Sequence, residues 1–520
     1  MSLLLQASGL GYRYPDQPDP LFEGLELTLY AGEHVALLGV NGSGKTTLLN
    51  LLSGTLPLQT GEVVRRAGGL SLRQEDRLTG SRTDETVLDA ALATYPDVGP
   101  LRQALRAQEA AGVPDPLRYA ELLTEFAERG GFELETTLHT ELGALGYDPD
   151  LLARPLHELS GGERRLLWLT AAFARPQALY FLDEPTNYLD ERGAAYLTRK
   201  VREAPAACLV VSHDRRFLDE TATGTLELAR GSLRRFRGNY SSFWAQKEAE
   251  YQDRVRRSGK LKRDIAGLRE QERTYKVWGA RKEKEKSGAA DRGFVGARAA
   301  RLMRRGLQAK ERLQDRITDL EEAKPWVEKR YTVAFEPVPA PPGVCLSADV
   351  RVLGRRVSLT VEHGERWTVA GANGAGKTTL LRALLGVGET PGRVVWDKAA
   401  RVGYLPQRWD ETLDAVTLES RFARDDHPRA RLLLGALGVS GAAFGGPLGS
   451  LSEGQKRKTE LVRLILEKPN VLVLDEPTTH LDYVGVEGLE AALLNFAGTL
   501  FLVTHDRYLQ ERTTDRGLEL

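Results

Sequence analysis

Residues Gly39 to Thr46 read GVNGSGKT, and this stretch decides the fold. It matches the pattern G-x-x-x-x-G-K-[ST] at every position, which is the P-loop that cradles nucleotide phosphates. Gly42 and Gly44 permit a tight turn in which several backbone N–H groups point into one concave nest. Lys45 brings a charge to the β- and γ-phosphates, and the Thr46 hydroxyl suits Mg²⁺. The apolar HVALLG before the loop predicts a buried strand, and TTLLNLLSG after it predicts a helix whose N-terminus faces the phosphates.

The pattern occurs again at Gly371–Thr378, GANGAGKT, between the apolar RWTVAG and TTLLRALLG. Later markers repeat as well: LSGGE at 159–163 and LSEGQ at 451–455, FLDEPTNYLD at 181–190 and VLDEPTTHLD at 473–482, VVSHDRRFLD at 210–219 and LVTHDRYLQ at 502–510. In both halves 23 residues separate the signature Ser from the acidic Asp, and 30 more lead to the His. The chain is therefore an internal repeat with two nucleotide-binding halves.

The two halves differ in length at one place. Gln74 lies 29 residues after Lys45, and Gln407 lies 30 residues after Lys377, yet the first half carries 41 more residues between its Gln and its LSGGE. The extra residues fall within 75–155, a charged region that predicts helices and serves either as a second contacting arm or as a larger helical subdomain.

Bulk composition restricts the class of protein. The 520 residues carry 72 basic and 72 acidic side chains, so only local charge can predict a partner. Cys208 and Cys345 are too few for a disulfide framework, which suits a reducing compartment. The first residues show no signal-peptide pattern and no run approaches 18 apolar residues, so we expect a cytoplasmic protein without a membrane span.

P-loop, Gln, LSGGE, LDE and His in this order resemble the ATP-binding cassette family, at both ends of the chain. The resemblance implies an α/β fold with two P-loop NTPase cassettes, ATP and Mg²⁺ as cofactors, and hydrolysis of ATP to ADP and phosphate. Asp183 and Asp475 end apolar strands, where a carboxylate can hold the metal, and the following Glu184 and Glu476 can reach the attacking water. Any single His or Gln would more simply be a surface or capping residue, but the repeated context favours a functional role.

The predicted site residues form four sets. The predicted catalytic residues are Glu184, His213, Glu476 and His505. The predicted metal ligands are Thr46, Gln74, Asp183, Thr378, Gln407 and Asp475. The predicted P-loop contacts to ATP are Gly39, Asn41, Gly42, Ser43, Gly44, Lys45, Thr46 and Thr47, with Gly371, Asn373, Gly374, Ala375, Gly376, Lys377, Thr378 and Thr379 in the second half. The predicted signature contacts are Ser160, Gly161, Gly162, Ser452, Glu453 and Gly454.

In the family the signature turn contacts the ATP held by the opposite P-loop. The resemblance therefore implies that one monomeric chain closes on itself as an intramolecular cassette dimer. Lys45 would face Ser452, and Lys377 would face Ser160. Both sets are complete, so we expect two competent sites.

Adenine binding breaks the symmetry. Cassettes usually stack adenine on an aromatic residue some 25–30 positions before the P-loop lysine. Tyr14, or Tyr12, fits in the first half, although an ordinary strand aromatic is the alternative. The second half has SADVRVLGRRVSL there, without an aromatic, so we expect adenine to pack differently at that site.

Residues 241–330 have a different composition from both halves. Apolar residues at helical spacing predict two amphipathic helices packed as an antiparallel pair, the first over about 243–286, with SGAADRGFVG at 287–296 as the turn. The segment holds 25 basic and 15 acidic residues, and 12 basic against 3 acidic lie within 273–310. A solvated coiled coil would also be charged, but a basic excess at one end suits an RNA backbone. The predicted RNA-binding residues are Arg281, Lys282, Lys284, Lys286, Arg298, Arg301, Arg304 and Arg305.

Two cassettes, a charged linker of this length and the EPTN and SHDRRFLD motifs resemble the ABC-F group. We therefore expect a first cassette over 1–240, a helical hairpin linker over 241–332 and a second cassette over 333–520. The resemblance implies a protein that binds the ribosome in the ATP-closed state, with the linker near P-site tRNA and the peptidyl-transferase centre. It would modulate translation or protect against antibiotics that target the ribosome. The alternatives are a tandem ATPase subunit of a transporter with separate membrane subunits and a nucleic-acid repair ATPase, but the first lacks such a linker and the second usually interrupts one cassette.

Overall fold

The computed structural model describes residues 2–15, 17–73, 85–110, 115–187, 189–286, 308–309, 311–325, 334–372, 374–388, 392–439 and 441–520, with the backbone alone for 149, 275–286 and 442. The chain divides into two compact units. One consists of Met1–Ser241 with Tyr331–Leu520, and the other of Ser242–Arg330.

The first half builds two sheets. An antiparallel sheet has the strand order β2-β1-β4, and a larger sheet has the order β5-β6-β7-β3-β8-β9, in which β8 and β9 are antiparallel and the other neighbours parallel. The strands are β1 Leu3–Tyr12, β2 Phe22–Tyr30, β3 His34–Leu38, β4 Thr60–Arg65, β5 Gly69–Leu72, β6 Leu179–Asp183, β7 Ala207–Val211, β8 Gly224–Ala229 and β9 Ser232–Arg237.

Helices cover and extend this half. The insertion predicted within 75–155 is helical where it is described, and its helices share an apolar core around Phe126 and Leu138. The helices of the first half are α1 Lys45–Ser53, α2 Val87–Leu92, α3 Gly99–Ala110, α4 Pro116–Glu128, α5 Gly131–Ala144, α6 Gly161–Ala174, α7 Glu191–Glu203 and α8 Arg215–Thr221.

Between the halves, helix α9 spans Tyr240–Lys286, and residues 311–322 form helix α10. Helix α9 begins three residues earlier than the expected 243. Within the second unit Ile265 and Ile317 are buried, and Arg269 pairs with Glu321 at 2.5 Å, so the two helices contact each other as an amphipathic pair would. The predicted turn at 287–296 lies outside the described residues.

The second half repeats the pattern of the first. Its antiparallel sheet has the order β11-β10-β13, and its parallel sheet the order β14-β15-β16-β12-β17. The strands are β10 Val344–Val352, β11 Arg355–Glu362, β12 Arg366–Ala370, β13 Gly392–Trp396, β14 Val402–Leu405, β15 Val471–Asp475, β16 Thr499–Val503 and β17 Arg516–Glu519. The helices are α11 Lys377–Leu384, α12 His427–Ala436, α13 Glu453–Glu467, α14 Tyr483–Leu494 and α15 Arg507–Thr513.

Strand polarity places the functional loops. Strands β3, β6, β7, β15 and β16 are buried at every residue, as expected of parallel strands covered on both faces. Their carboxyl ends therefore meet at one edge of each sheet, where ligands bind in open α/β sheets. The P-loops and the acidic residues lie at these edges, and each His lies two residues beyond its strand. Across the described residues, no helix is long and apolar enough to cross a membrane.

Candidate functional site

The first P-loop is a formed nest between β3 and α1. Gly42 and Gly44 have φ angles of 79° and 96°, in the left-handed region that glycine adopts without strain. The Lys45 side chain is buried and lies across its own loop, where Nζ donates to the carbonyl oxygens of Gly39 at 2.8 Å and Val40 at 3.2 Å. The loop thus holds its turn and its cation before any ligand is added.

The second P-loop has the same geometry. Gly374 and Gly376 have φ angles of 82° and 98°, and Lys377 Nζ donates to the carbonyl oxygens of Gly371 at 2.7 Å and Ala372 at 3.0 Å. The repeated lysine contacts show that both halves build the loop in one way. Asn373, a predicted contact to ATP, lies outside the described residues.

Each acidic pair lies at the end of a buried strand, next to the predicted histidine. Glu184 has φ 46° and Glu476 has φ 48°, a strained conformation for glutamate that costs on the order of 1–3 kcal/mol and concentrates at functional sites. Glu184 Oε1 lies 3.3 Å from His213 Nε2, and Glu476 Oε1 lies 3.4 Å from His505 Nε2. Each glutamate is thereby turned towards its histidine.

Burial shifts the pKa values of these groups. It raises the pKa of Glu184 to about 8, with a further contribution from the charge of Asp183, and it raises the pKa of Glu476 to about 8. Burial and the nearby P-loop lysines lower the pKa of His213 to about 3 and of His505 to about 4. Both histidines are therefore neutral near pH 7. The charge of the P-loop lysines lowers the pKa of Glu184 and Glu476 by less than burial raises it.

The donor set fits a divalent cation and a phosphate. Within the described part of the chain, the Oε1 atoms of Glu184 and Glu476 are buried, and apart from the histidine Nε2 atoms at 3.3 and 3.4 Å they have no hydrogen-bond partner. Buried carboxylates normally have partners, and hard oxygen ligands suit Mg²⁺. Asp183 and Asp475 also have raised pKa values, caused first by burial. The site is thus built for additional positive charge.

Both signature turns begin helices with a capping box. Ser160 Oγ accepts the N–H of Glu163 at 3.3 Å, and Glu163 Oε2 accepts the N–H of Ser160 at 2.8 Å. Ser452 and Gln455 repeat this arrangement at 3.3 and 3.0 Å. The boxes orient the first turns of α6 and α13, whose N-termini suit an anion.

The first P-loop meets the second signature turn directly. The Asn41 N–H donates to Asp482 Oδ2 at 3.2 Å, and Asn41 Nδ2 donates to the His480 carbonyl oxygen at 2.8 Å. A Cβ atom at Gly454 would lie 2.8 Å from Asn41 Nδ2, so only glycine permits this approach. Residues more than 400 positions apart therefore form one composite site, which we name the first composite site (Lys45, Asp183, Glu184 and His213 with the turn at Ser452).

We name the residues of the other pairing the second composite site (Lys377, Asp475, Glu476 and His505 with the turn at Ser160). Asp190 of the first half acts electrostatically on both Lys377 and His505, and Arg507 forms an ion pair with Glu191. One cleft of about 1560 Å³ includes residues of both composite sites. The predicted residues that line it are Tyr14, Asn41, Gly42, Gly44, Lys45, Thr46, Thr47, Ser160, Gly162, Asp183, Glu184, His213, Gly374, Gly376, Lys377, Thr378, Thr379, Gln407, Ser452, Glu453, Gly454, Asp475, Glu476 and His505.

The surroundings expected for adenine differ between the halves. Tyr14 is partly exposed, shares a 2.6 Å hydrogen bond with the Thr47 hydroxyl and packs edge-on against Tyr12, which leaves it beside the first P-loop. An aliphatic side chain lies beside each P-loop: a Cβ at Gly44 would lie 2.6 Å from the Leu21 side chain, and a Cβ at Gly376 would lie 3.2 Å from that of Leu353. Both leucines line the cleft and do not distinguish the halves, so the described difference is Tyr14 beside the first P-loop.

Some predicted residues lie outside the described part. They are Gln74, Asn373, and the linker residues Arg298, Arg301, Arg304 and Arg305, and for Arg281, Lys282, Lys284 and Lys286 the structure describes the backbone of α9 alone.

The sequence reasoning missed residues that join the halves. Asp482 ends the quoted VLDEPTTHLD motif, so the signal was present, but the motif does not show that its last residue reaches the other half. Arg457 donates to the carbonyl oxygens of Pro406, Asp475 and Glu476, and so ties the signature helix to the acidic strand end. Arg215 follows His213 and crosses to the second half, where it pairs with Glu487, Glu490 and Asp506.

Comparison with known proteins agrees with this geometry. The family model described as ABC transporter matches residues 22–187 and 355–479, which is more than half of the chain. The ribosome protection protein VmlR of Bacillus subtilis is 28% identical over 100% of this chain and 87% of that protein. The tylosin resistance ATP-binding protein TlrC of Streptomyces fradiae is 34% identical, over 99% of this chain and 97% of that protein. The human ATP-binding cassette sub-family F member 3 is 32% identical, over 94% of this chain and 67% of that protein.

Two P-loops and two signature turns that line one cleft, together with relatives that match nearly the whole chain, point to one assignment. The chain carries two ATP-binding cassettes of P-loop NTPase fold, and it belongs to the ATP-binding cassette family, within its ABC-F group.

Proposed function

We propose that this chain is an ATPase that binds the ribosome when both composite sites close over ATP, and that its linker acts near P-site tRNA and the peptidyl-transferase centre. The observation that carries the proposal is the contact of Asn41 with Asp482 and His480. It makes each half incomplete without the other, so nucleotide binding can control the whole chain.

Each composite site has a division of labour. The P-loop lysines and the N–H nests hold the phosphates, while the opposite signature turn closes over them. Thr46 with Asp183, and Thr378 with Asp475, would hold Mg²⁺, which supplies charge neutralisation on the phosphates when bound. The charge of bound Mg²⁺ would lower the raised pKa values of Glu184 and Glu476, so that both carboxylates would be ionised, orient a water and accept its proton. The neutral histidines would accept or donate one hydrogen bond near the terminal phosphate.

The choice of partner has separate support. The relatives VmlR and TlrC are named for ribosome protection and tylosin resistance, and both match the chain over nearly its full length. The linker sequence carries 12 basic against 3 acidic residues over 273–310, the charge pattern of a surface that binds an RNA backbone. We propose that the resulting role is protection of the translating ribosome in the cytoplasm. We also propose that the first cassette ends at residue 240 and that the linker ends at residue 332.

Ribosome co-sedimentation tests the proposal. A Glu184→Gln/Glu476→Gln variant should hold ATP without hydrolysing it and should pellet with ribosomes in ATP but not in ADP. The unmodified chain with ATP serves as control and should pellet less because hydrolysis releases it. Recovery with membranes instead of ribosomes would favour the transporter subunit and would refute the proposed partner.

A linker variant tests the role of the predicted turn. Deleting residues 287–296 should leave basal ATP hydrolysis within about twofold and abolish the effect on cell-free translation in the presence of peptidyl-transferase inhibitors. Replacing residues 287–296 with glycine and serine at unchanged length would be the matched control for altered size. Unchanged translation with the linker deletion would show that the predicted turn does not act there.

A further inference from the structure

The two signature helices differ in charge at three aligned positions near the cleft: Glu453 for Gly161, Gln455 for Glu163 and Lys458 for Leu166. The halves align with an offset of 292 residues from the signature turn onward, so Lys458 in α13 corresponds to Leu166 in α6. Both side chains line the cleft. The first composite site therefore has a cation from the opposite half, where the second composite site has an apolar side chain.

Lys458 contacts the residue that joins the halves. Its Nζ lies 3.2 Å from Asp482 Oδ2, and the exposed fractions of the two side chains are 10% and 5%. The same Oδ2 accepts the N–H of Asn41 in the first P-loop, while Oδ1 accepts the N–H of Gly485 at 2.9 Å. Lys458, Asp482 and Asn41 thus form a chain of contacts from the signature helix to the opposite P-loop, buried at Lys458 and Asp482 and exposed at Asn41.

The lysine has a physical task in this chain. Burial alone would raise the pKa of Asp482, but the charge of Lys458 and the N–H groups of Gly485 and Asn41 bring it below its usual value. An ionised carboxylate beside a phosphate-binding loop is repulsive unless a cation accompanies it. Lys458 is that cation, and it lets Asp482 remain ionised and hold Asn41.

The second composite site lacks this support. Its corresponding carboxylate, Asp190, caps α7 by accepting the Gly193 N–H at 2.9 Å and is more exposed than Asp482. The exposed fraction of the histidine side chain is 44% at His505 and 23% at His213. The first composite site is thus the more enclosed of the two.

One opposing charge faces the first composite site. Glu453 stands in the signature turn where the other half has Gly161. Its carboxylate lies 3.4 Å from Lys456 Nζ, which offsets the negative charge. Lys456 corresponds to Arg164 in the other half, and Gln455 to the acidic Glu163, so the signature helix at the first composite site carries more positive charge than the one at the second.

We propose that Lys458 is a positioning residue that holds Asp482 against the first P-loop and makes the first composite site bind ATP more tightly than the second. The inference rests on the proposed function, because it assigns unequal roles to its two ATP sites. The tighter site holds the halves together while the second site turns over.

Single-site variants separate the two binding events. In a Lys377→Ala chain only the first P-loop keeps its lysine, and in a Lys45→Ala chain only the second does. Equilibrium binding of a fluorescent ATP analogue with Mg²⁺ should be tighter to the Lys377→Ala chain. Adding Lys458→Leu, the side chain of the other half, should weaken that binding about tenfold, the scale of one charge-assisted contact, and leave the Lys45→Ala chain within about twofold.

The conservative variant and the fold provide the controls. Lys458→Arg should restore most of the affinity, since a guanidinium can also pair with Asp482, and the thermal midpoint should match in all chains. Equal weakening in both backgrounds, or none in the Lys377→Ala chain, would overturn the inference. Absence of ATP binding in the unsubstituted chain would instead refute the proposed function.

Discussion

At the scale of single residues, the two predicted catalytic glutamates have an unusual backbone conformation and raised pKa values. Glu184 and Glu476 are buried and have positive φ angles. Burial raises the pKa of both carboxyl groups to about 8. Such strain and burial persist because the surrounding strand and loop over-determine the backbone. The same side chains are the ones placed to receive a proton from water.

Replacing either glutamate tests this role. Glu184→Gln or Glu476→Gln keeps the shape and removes the proton acceptor, so the ATPase rate should fall about 100-fold or more when both are changed. Single-turnover hydrolysis of ATP measures the rate, and binding of the same ATP should be unchanged. A double variant that still hydrolyses ATP at the normal rate would show that neither glutamate is the base.

Tyr14 tests the base-binding surface at the first P-loop. Tyr14→Ala should weaken binding of the fluorescent ATP analogue in the Lys377→Ala chain about tenfold, because it removes an aromatic face that a base can stack on. Tyr14→Phe is the control, since it keeps the ring and removes only the hydrogen bond to Thr47. If the Lys377→Ala chain bound the analogue equally well with Tyr14, Tyr14→Ala or Tyr14→Phe, Tyr14 would be an ordinary strand aromatic without a role in base binding.

At the scale of elements, helix α8 joins the two halves beside the first His. The Arg215 side chain is 2% exposed and pairs with Glu487 at 3.1 Å and Asp506 at 3.1 Å. The adjacent Arg216 is exposed and pairs with Glu220 in its own helix and, at 3.5 Å, with the exposed Glu511 of the second half. Truncating one partner of a buried cluster leaves several acids without compensation, whereas exposed pairs contribute little.

These two arginines form a matched pair of variants. Arg215→Ala should lower the stability of the chain by about 3 kcal/mol, seen as a lower midpoint in thermal unfolding, and Arg216→Ala should change it by less than about 1 kcal/mol. Equal effects of the two substitutions would mean that the contact of α8 with the second half is not stabilising.

The elements could be predicted because their signals are local. A glycine-rich turn between an apolar strand and a helix was enough to locate α1 and α11, and the apolar runs before Asp183 and Asp475 were enough to locate β6 and β15. The contacts of Lys458, Asp482 and Arg215 could not be predicted, because they join residues that are distant in sequence and depend on how the halves pack. Helix α9 begins at Tyr240, three residues before the expected start at 243, and the residues of this additional turn include neither Pro nor Gly.

At the scale of the whole molecule, the repeat explains why one chain can act as a pair. P-loop and signature-turn residues of both halves line one cleft, so under the proposed function closure over ATP would engage both halves. If ATP binds more tightly to the closed chain, linkage requires that any partner that binds the closed chain also tightens the binding of ATP.

Photo-crosslinking from the terminal phosphate tests the composite site most directly. An ATP analogue with a photoreactive group on its γ-phosphate is bound to the Lys377→Ala chain, in which the first P-loop alone keeps its lysine. The account predicts that mass spectrometry finds the label on the peptide that holds Ser452 and Gly454, in the opposite half. Label confined to peptides of residues 1–240 would contradict the account, because each half would then bind ATP by itself.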